Sequence, residues 1–134
     1  MFPAQPYDPA PVQAQQPRTI LVVDDDNDTR EMLSTILELD GYTVAIAHSG
    51  HDALFYLYTH PQPCCILLDV QMAHGDPHAF RVFQQRDTDA ARIPVVLMSG
   101  RPDLAVTATA LGLPYLAKPF TWEQLSEVIQ RYCA

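Results

Sequence analysis

Five short apolar runs rich in β-forming residues alternate with stretches that have the periodicity of amphipathic helices. This alternation predicts parallel strands joined by right-handed crossovers, with helices on both faces of one sheet. A strand buried on both faces should be an unbroken apolar run, and CCILL fits that description. We therefore predict an α/β fold with a doubly wound, five-stranded parallel sheet. The predicted strands are 20–23, 43–47, 64–68, 94–98 and 114–117.

The helix ends carry recognisable signals. Asn27 is expected to cap the first helix and Gly41 to end it. Ser49 is expected to cap the second helix, and the Thr121-x-x-Gln124 pattern predicts a capping box at the last one. A third helix is predicted over about 77–86 and a weak fourth helix after Pro102. The predicted inward-facing residues are Leu33, Ile36 and Leu37 in the first helix, Ala53, Leu54, Leu57 and Tyr58 in the second, and Leu125, Val128, Ile129 and Tyr132 in the last.

The chain divides into a tail and one domain. Residues 1–18 are rich in Pro, Gln and Ala and show no apolar period, so we predict a disordered tail. Residues 19–134 suit a single domain, and the hydrophobic content of 48% is enough for a core.

The charge, the apolar runs and the cysteines of the chain limit the partners and the location that we expect for it. Sixteen acidic against eight basic residues give a net charge of −8, which argues against nucleic acid as a direct partner. No apolar run reaches the ~18 residues of a membrane span, and no signal peptide is visible, so we expect a cytoplasmic protein with no membrane partner. We interpret the three cysteines as reduced thiols.

Polar residues follow four of the predicted strands. They are Asp24 to Asp26 after the first strand, Asp69 after the third, Ser99 after the fourth and Lys118 after the fifth. Because sites in parallel sheets lie beyond the carboxyl ends of the strands, we expect these side chains to converge. Crowded carboxylates favour Mg²⁺, and a lysine and a serine hydroxyl beside them could bind phosphoryl oxygens. The set therefore indicates a site that stabilises a phosphoryl group on an aspartate.

The motifs VVDDD, LLDVQM, LMSG and YLAKPF, in this order and spacing, resemble the receiver domain of two-component response regulators. The resemblance covers about 19–134. It implies the flavodoxin-like receiver fold and a phosphorylation-dependent signalling switch. The phosphoryl group would come from a histidine kinase or a histidine phosphotransfer protein, with Mg²⁺ as cofactor. The chain would be a phosphoacceptor that assists its own phosphorylation and dephosphorylation, and not an enzyme in the usual sense.

The resemblance also implies a role for each site residue. Asp69 matches the phosphoacceptor, and Asp24 and Asp25 match the acidic pair at the metal, with a minor role for Asp26. Gln71 matches the position whose backbone carbonyl completes the metal shell. Ser99 matches the switch hydroxyl, Lys118 the family's lysine and Tyr115 the aromatic residue that moves inward on activation. Pro119 stands where the family has a cis proline. On activation, the surface formed by helix four, strand five and helix five would be remodelled.

The chain departs from the family pattern in two places. Ala73 stands where the family usually has Pro, and Pro77 where it usually has Gly. Only 15 residues separate Ser99 from Tyr115, so we expect helix four to be short or distorted. The output surface, and with it the choice of partner, would then be unusual.

Four other functions fit parts of the sequence. A calcium loop beginning at Asp24 fails, because Thr29 replaces its glycine and Thr35 its glutamate. A haloacid-dehalogenase-like phosphohydrolase would use Asp24 as the nucleophile, but the chain is short for that class. A receiver-like interaction module working without phosphorylation is the third. The histidine pairs 48/51 and 74/78 could suggest a transition metal, although polar surface residues are the default.

With no output domain after Tyr132, we expect a stand-alone receiver. It would signal by contact with an unknown downstream protein or by passing the phosphoryl group on, and a homodimer is possible.

Overall fold

The computed structural model describes residues 18–71 and 77–133. Within them strands and helices alternate as predicted, and the strands form a single sheet. All neighbouring strands are parallel, and their order in the sheet is β2-β1-β3-β4-β5. The predicted doubly wound α/β fold is confirmed. The elements are β1 (Thr19–Val23), α1 (Asn27–Leu39), β2 (Thr43–Ala47), α2 (Gly50–Thr59), β3 (Cys65–Asp69), α3 (Pro77–Gln85), a 3₁₀ turn (Ala90–Arg92), β4 (Val95–Ser99), α4 (Leu104–Leu111), β5 (Tyr115–Ala117) and α5 (Trp122–Cys133).

The sheet separates two apolar layers. On one face, helices α2, α3 and α4 cover alternate strand residues such as Leu21 and Ile66. On the other face, α1 and α5 cover the intervening residues, such as Ile20 and Leu67. Both central strands, β3 and β4, are buried along their whole length. Their last residues, Asp69 and Ser99, are therefore polar groups held at the margin of the core.

Most helix signals lie where they were expected. The Ser49 hydroxyl accepts a hydrogen bond from the Asp52 N–H at 3.0 Å and caps α2. Thr121 and Gln124 form the reciprocal capping box of α5, with distances of 3.1 and 2.9 Å. The left-handed conformation of Gly41 (φ 94°) follows the end of α1 and lets the chain turn into β2.

Two local predictions were wrong. The cap of α1 is Asp26 and not Asn27, because the Asp26 carboxylate accepts from the backbone N–H of Thr29. Tyr58 was expected to face inward, but it is 76% exposed. Helix α2 ends at Thr59, and Leu57 and Ala53 alone supply its fully buried apolar side chains.

Helix α4 is short, as predicted. It has eight residues and ends where Gly112 adopts the left-handed conformation at φ 68°. The predicted tail and the departure at Ala73 lie outside the described residues, apart from Arg18. Pro77 begins α3, where its missing N–H leaves no hydrogen bond unmade. None of the described helices is long and apolar enough to cross a membrane.

The interpretation of all three cysteines as reduced thiols is corrected by the structure. Cys64 and Cys133 form a disulfide with their Cα atoms 5.4 Å apart, although 69 positions separate them in sequence. Cys64 precedes β3 and Cys133 ends α5, and these two ends meet at the same edge of the sheet. Cys65 is a free, buried thiol whose pKa is raised by burial to about 12.

One buried polar side chain, that of Gln84, joins α3 to the segment before β4. Its amide Nε2 donates to the carbonyl oxygens of Ala90 and Ile93 at 2.8 and 3.1 Å, and its Oε1 accepts from Arg81 at 2.8 Å. The side chain is fully buried. Its hydrogen bonds give the Ile93 carbonyl a donor and add a second donor to the Ala90 carbonyl, which also accepts from the Ile93 N–H at 3.1 Å.

We predict that Gln84→Ala lowers the free energy of unfolding by about 2–4 kcal/mol, because it removes two buried hydrogen bonds to backbone carbonyls and creates a cavity. Urea unfolding measures the change. The matched control is Gln85→Ala, since Gln85 is the exposed neighbour on the same helix. Equal effects of the two substitutions would contradict the assignment.

Candidate phosphoacceptor and metal site

The predicted polar residues converge at the carboxyl edge of the sheet. Asp24 follows β1, Asp69 ends β3, Ser99 ends β4 and Lys118 follows β5. The strand register places Asp69 beside Met98 and Ser99 beside Ala117, so each polar residue lies one strand away from the next. The convergence expected from the strand ends is therefore observed.

Three carboxylates form a compact acidic cluster. Asp24, Asp25 and Asp69 each offer an oxygen, and these oxygens lie within 4.8 Å of one another. Asp24 and Asp69 are buried, at 0% and 4% exposure, whereas Asp25 is exposed and open to solvent. Within 18–71 and 77–133, these are the His, Cys, Asp or Glu side chains close enough to share a metal ion. A set of oxygen donors with one open side fits a hard divalent cation.

Lys118 is the only lysine in the sequence, and its ammonium lies among these carboxylates. Its Nζ is 2.9 Å from Asp24 Oδ2, with which it forms a hydrogen bond, and 3.6 Å from Asp69 Oδ2. Two buried carboxylates this close are costly unless a cation accompanies them. Lys118 supplies that charge from the loop after β5.

The environment of Asp69 raises its pKa. Burial is the largest cause and moves the pKa from the ordinary value of 3.8 to about 6, with the nearby Asp24 carboxylate acting in the same direction. The backbone N–H of Gln71, which donates to Asp69 Oδ1 at 3.0 Å, and the Lys118 ammonium lower the pKa and oppose this rise. Asp69 is thus mainly ionised at neutral pH, but its charge is poorly stabilised.

The Asp24 carboxylate accepts more hydrogen bonds than the Asp69 carboxylate does. Its Oδ1 accepts from the backbone N–H of Asp26 at 2.9 Å, and its Oδ2 accepts from Lys118. Its backbone carbonyl accepts from Arg30 at 2.7 Å. The Asp26 side chain turns instead to α1, where the Thr29 hydroxyl donates to it at 2.6 Å and lowers its pKa. Both oxygens of the Asp24 carboxylate are therefore engaged, whereas the Asp69 carboxylate retains capacity.

The two loops beside Asp69 are joined by a contact that sequence reasoning missed. The side-chain Oε1 of Gln71 accepts from the backbone N–H of Gly100 at 2.8 Å. The neighbouring Ser99 is fully buried, and its Oγ accepts from the N–H of Arg101 at 2.9 Å. A long amide side chain two residues after the acidic strand end was the available signal. The metal role of the Gln71 backbone carbonyl stays a prediction.

Tyr115 is the first residue of β5, and Lys118 follows its last residue. Tyr115 is 46% exposed, so its ring lies largely on the outside of the protein. The Lys118 N–H donates to the Ser99 carbonyl at 2.8 Å, and the Lys118–Pro119 peptide bond is cis, as the resemblance implies. This hydrogen bond joins the loops after β4 and β5 directly.

We predict that Asp69→Asn raises the free energy of unfolding at pH 7 by about 1–3 kcal/mol in the absence of divalent cations. The folded state binds the Asp69 proton more tightly than the unfolded chain does, because the pKa is raised from 3.8 to about 6. This contribution to stability is full below about pH 4 and is lost as the pH rises through about 6. Urea unfolding between pH 4 and pH 7.5 measures it.

The control is Asp25→Asn, which removes an exposed member of the same cluster and should stabilise the protein less. If Asp69→Asn changed the free energy of unfolding equally at pH 4 and pH 7, the buried negative charge of Asp69 would not be the cause.

Comparison with known proteins identifies the family to which the chain is similar. The model of the response regulator receiver domain matches residues 20–130. The response regulator MprA of Mycobacterium ulcerans is 35% identical over 109 residues, which are 79% of this chain and 46% of that protein. The chain spans less than half the length of the first curated relatives it matches.

Solved structures agree with this assignment. The chemotaxis response regulator CheY4 of Vibrio cholerae has a TM-score of 0.76 and 27% identity, and the match covers 87% of this chain and 98% of that one. The receiver domain of the sensor histidine kinase PA1611 of Pseudomonas aeruginosa, described with a magnesium ion coordinated in its active-site cleft, has the same fold. Its TM-score is 0.77 at 22% identity, with 87% and 97% of the two chains covered. With its parallel sheet, its acidic cluster and its match over residues 20–130, the chain belongs to the response regulator receiver domain family.

Proposed function

We propose that this receiver domain accepts a phosphoryl group on Asp69 from a histidine kinase or a histidine phosphotransfer protein, and that this modification switches its binding to a downstream protein. The observation that carries the proposal is the Asp69 carboxylate, buried 3.6 Å from the only lysine and within 4.8 Å of two further carboxylates. This arrangement surrounds the acceptor with groups that bind a cation and a phosphoryl oxygen.

Asp69 is a better acceptor than Asp24. Both oxygens of Asp24 already accept hydrogen bonds, one of them from the Lys118 ammonium. Asp69 accepts from the Gln71 N–H on one oxygen, and its other oxygen lies beyond hydrogen-bond distance from Lys118. This difference also argues against a phosphohydrolase that would use Asp24 as its nucleophile.

Mg²⁺ is the proposed cofactor, held by Asp24, Asp25, Asp69 and the Gln71 backbone carbonyl. The oxygen donors of the three aspartates and the exposure of Asp25 fit this ion. When bound, Mg²⁺ would neutralise the carboxylates and bind a phosphoryl oxygen. The PA1611 receiver, whose published description includes magnesium in the cleft, supports the choice of ion.

The transfer itself needs an ionised Asp69. An Asp69 oxygen attacks the phosphorus of a phosphohistidine, an O–P bond forms, and the P–N bond breaks with its electron pair staying on the imidazole. A pKa of about 6 leaves the carboxylate ionised at neutral pH while keeping it basic enough to attack. Lys118 lies where it could bind an oxygen of the new acyl phosphate. The chain would thus be a phosphoacceptor that assists its own reactions, and not an enzyme with turnover on a separate substrate.

A conformational change that begins at Asp69 would reach the surface formed by α4, β5 and α5. The buried Ser99 ends the adjacent strand, and its hydroxyl would turn toward the phosphoryl group. Tyr115, exposed on the other side of β4, would move into the space that Ser99 leaves. Phosphorylation would bias this two-state movement by adding local charge. We expect this phosphoryl transfer to take place in the cytoplasm, and we expect no nucleic acid or membrane partner.

We predict that Asp69→Asn abolishes phosphorylation by a small phosphodonor such as acetyl phosphate with Mg²⁺, because the variant lacks the nucleophilic oxygen. Intact mass spectrometry measures the added phosphoryl group, and circular dichroism checks the fold. Asp40→Asn, at the opposite end of α1, is the matched control and should be phosphorylated normally. Labelling of the Asp69→Asn variant on another residue would refute the assignment.

We predict that Lys118→Ala still permits phosphorylation but weakens the response to Mg²⁺ and beryllofluoride, which together mimic an aspartyl phosphate. Losing one charge-assisted contact should reduce the apparent affinity about tenfold. Trp122 is the only tryptophan and lies at the start of α5, so its fluorescence reports the response.

The control for that experiment is Arg131→Ala, which removes a positive charge from the last turn of α5. An unchanged beryllofluoride affinity in Lys118→Ala would count against the proposed role of the lysine. A wild-type protein that showed no response at all would favour an interaction module working without phosphorylation.

A further inference from the structure

We propose that the Cys64–Cys133 pair is a thiol–disulfide exchange site, and that its redox state limits how far helix α5 can move when the switch is activated. The exchange partner would be a dithiol reductant or, in the reverse direction, a disulfide oxidant. The link to switching rests on the proposed function, whereas the exchange site itself does not.

The disulfide joins the residue before β3 to the last turn of helix α5. The Cys64 N–H donates to the Thr19 carbonyl at 2.8 Å, so this cysteine is anchored beside β1 at the centre of the sheet. Cys133 is the last residue of α5 and is 2% exposed. The bond therefore attaches the far end of α5 to the sheet, at the edge opposite Asp69.

The residues of the proposed switch lie between the two cysteines in sequence. The 69 positions from Cys64 to Cys133 contain Asp69, Ser99, Tyr115 and Lys118. Helix α5 begins four positions after Lys118, inside the same closed loop. A displacement of the loop after β5 would reach α5 at its first turn, while the disulfide holds its last turn. The oxidised helix can pivot about its end but cannot shift as a whole.

The helix does not depend on the disulfide to stay folded. Leu125 and Ile129 are both 1% exposed and pack against the sheet. The guanidinium of Arg18 donates to the Cys133 carbonyl and lies over the Tyr42 ring at 5.2 Å. These contacts would keep α5 in place after reduction, so we expect reduction to loosen the helix end without unfolding it.

The exchange reaction balances with a dithiol. Its thiolate attacks the sulfur of Cys64, which is half-buried and more accessible than Cys133. The S–S bond breaks, and Cys133 leaves as a thiolate that takes up a proton. The second thiol of the reductant then attacks the mixed disulfide and releases Cys64. The protein gains two thiols, and the reductant is oxidised to its own disulfide.

Cys65 provides the matched control. It is the neighbour of Cys64, but it is fully buried in β3 and has no disulfide partner. Burial also raises its pKa to about 12, which keeps it protonated and unreactive at neutral pH. A Cys65→Ser variant should retain the disulfide, whereas Cys64→Ser cannot form it.

The first measurement tests the exchange site in the unphosphorylated full chain. Wild type, Cys64→Ser and Cys65→Ser are kept with or without dithiothreitol. One part of each sample is alkylated with a maleimide in denaturant and weighed by mass spectrometry, and the Tm of the folded protein is measured on the other part. We expect reduction to lower the Tm of wild type and Cys65→Ser by about 10 °C, because a long loop is released. Cys64→Ser should show no such shift. A wild type with three alkylated cysteines before reduction, or with the same Tm before and after it, would overturn the site.

The second measurement tests the link to the switch. Hydrogen exchange across 122–133 is followed with and without Mg²⁺ and beryllofluoride, in the oxidised and the reduced protein. We expect the activation-dependent change in exchange to be at least twofold larger after reduction, and Cys64→Ser to behave as reduced protein in both conditions. Equal changes in both redox states would overturn the link. No response to beryllofluoride in either state would refute the proposed function and the link together, while the Tm shift would still establish the exchange site.

Discussion

The arrangement of side chains at the carboxyl edge of the sheet depends on the ion pair between Lys118 and the buried carboxylates. Asp24 is fully buried beneath the site, and Lys118 bonds it at 2.9 Å from a loop 94 positions away in sequence. Removing the ammonium would leave two buried negative charges side by side, which the apolar sheet beneath them cannot stabilise. The geometry of β1, β3 and β5 is thus tied to one cationic side chain.

This ion pair leaves the site incompletely neutralised. The Lys118 ammonium lowers the pKa of Asp69, but burial, with the Asp24 carboxylate acting in the same direction, raises it more. A site with uncompensated negative charge favours a ligand that brings positive charge. Once such a cation is bound, its charge can also attract the oxygens of a second ligand. The burial that costs stability at Asp69 would also keep this carboxylate basic enough for the proposed phosphoryl transfer, so stability and the proposed function oppose each other at this residue.

The sequence was sufficient where the signal was local or followed from sheet geometry. Apolar runs located the strands, and the rule that parallel strands end at one edge brought Asp24, Asp69, Ser99 and Lys118 together. It was insufficient where two distant segments meet side chain to side chain. The Cys64–Cys133 bond and the Gln71–Gly100 contact depend on how far each loop reaches, and no periodicity encodes that distance. The choice between Asp26 and Asn27 as helix cap was also beyond the pattern, since both residue types cap well.

The scarcity of lysine has a practical and a biological consequence. Since Lys118 carries the only ε-amine in the sequence, any chemistry that acylates amines reaches a side chain at one place alone, next to the acidic cluster. Acetylation there would remove the positive charge that Asp24 and Asp69 share. For the experimenter, an amine-reactive dye would report occupancy of the cleft directly, because a lysine engaged with Asp24 is shielded while a released one is not.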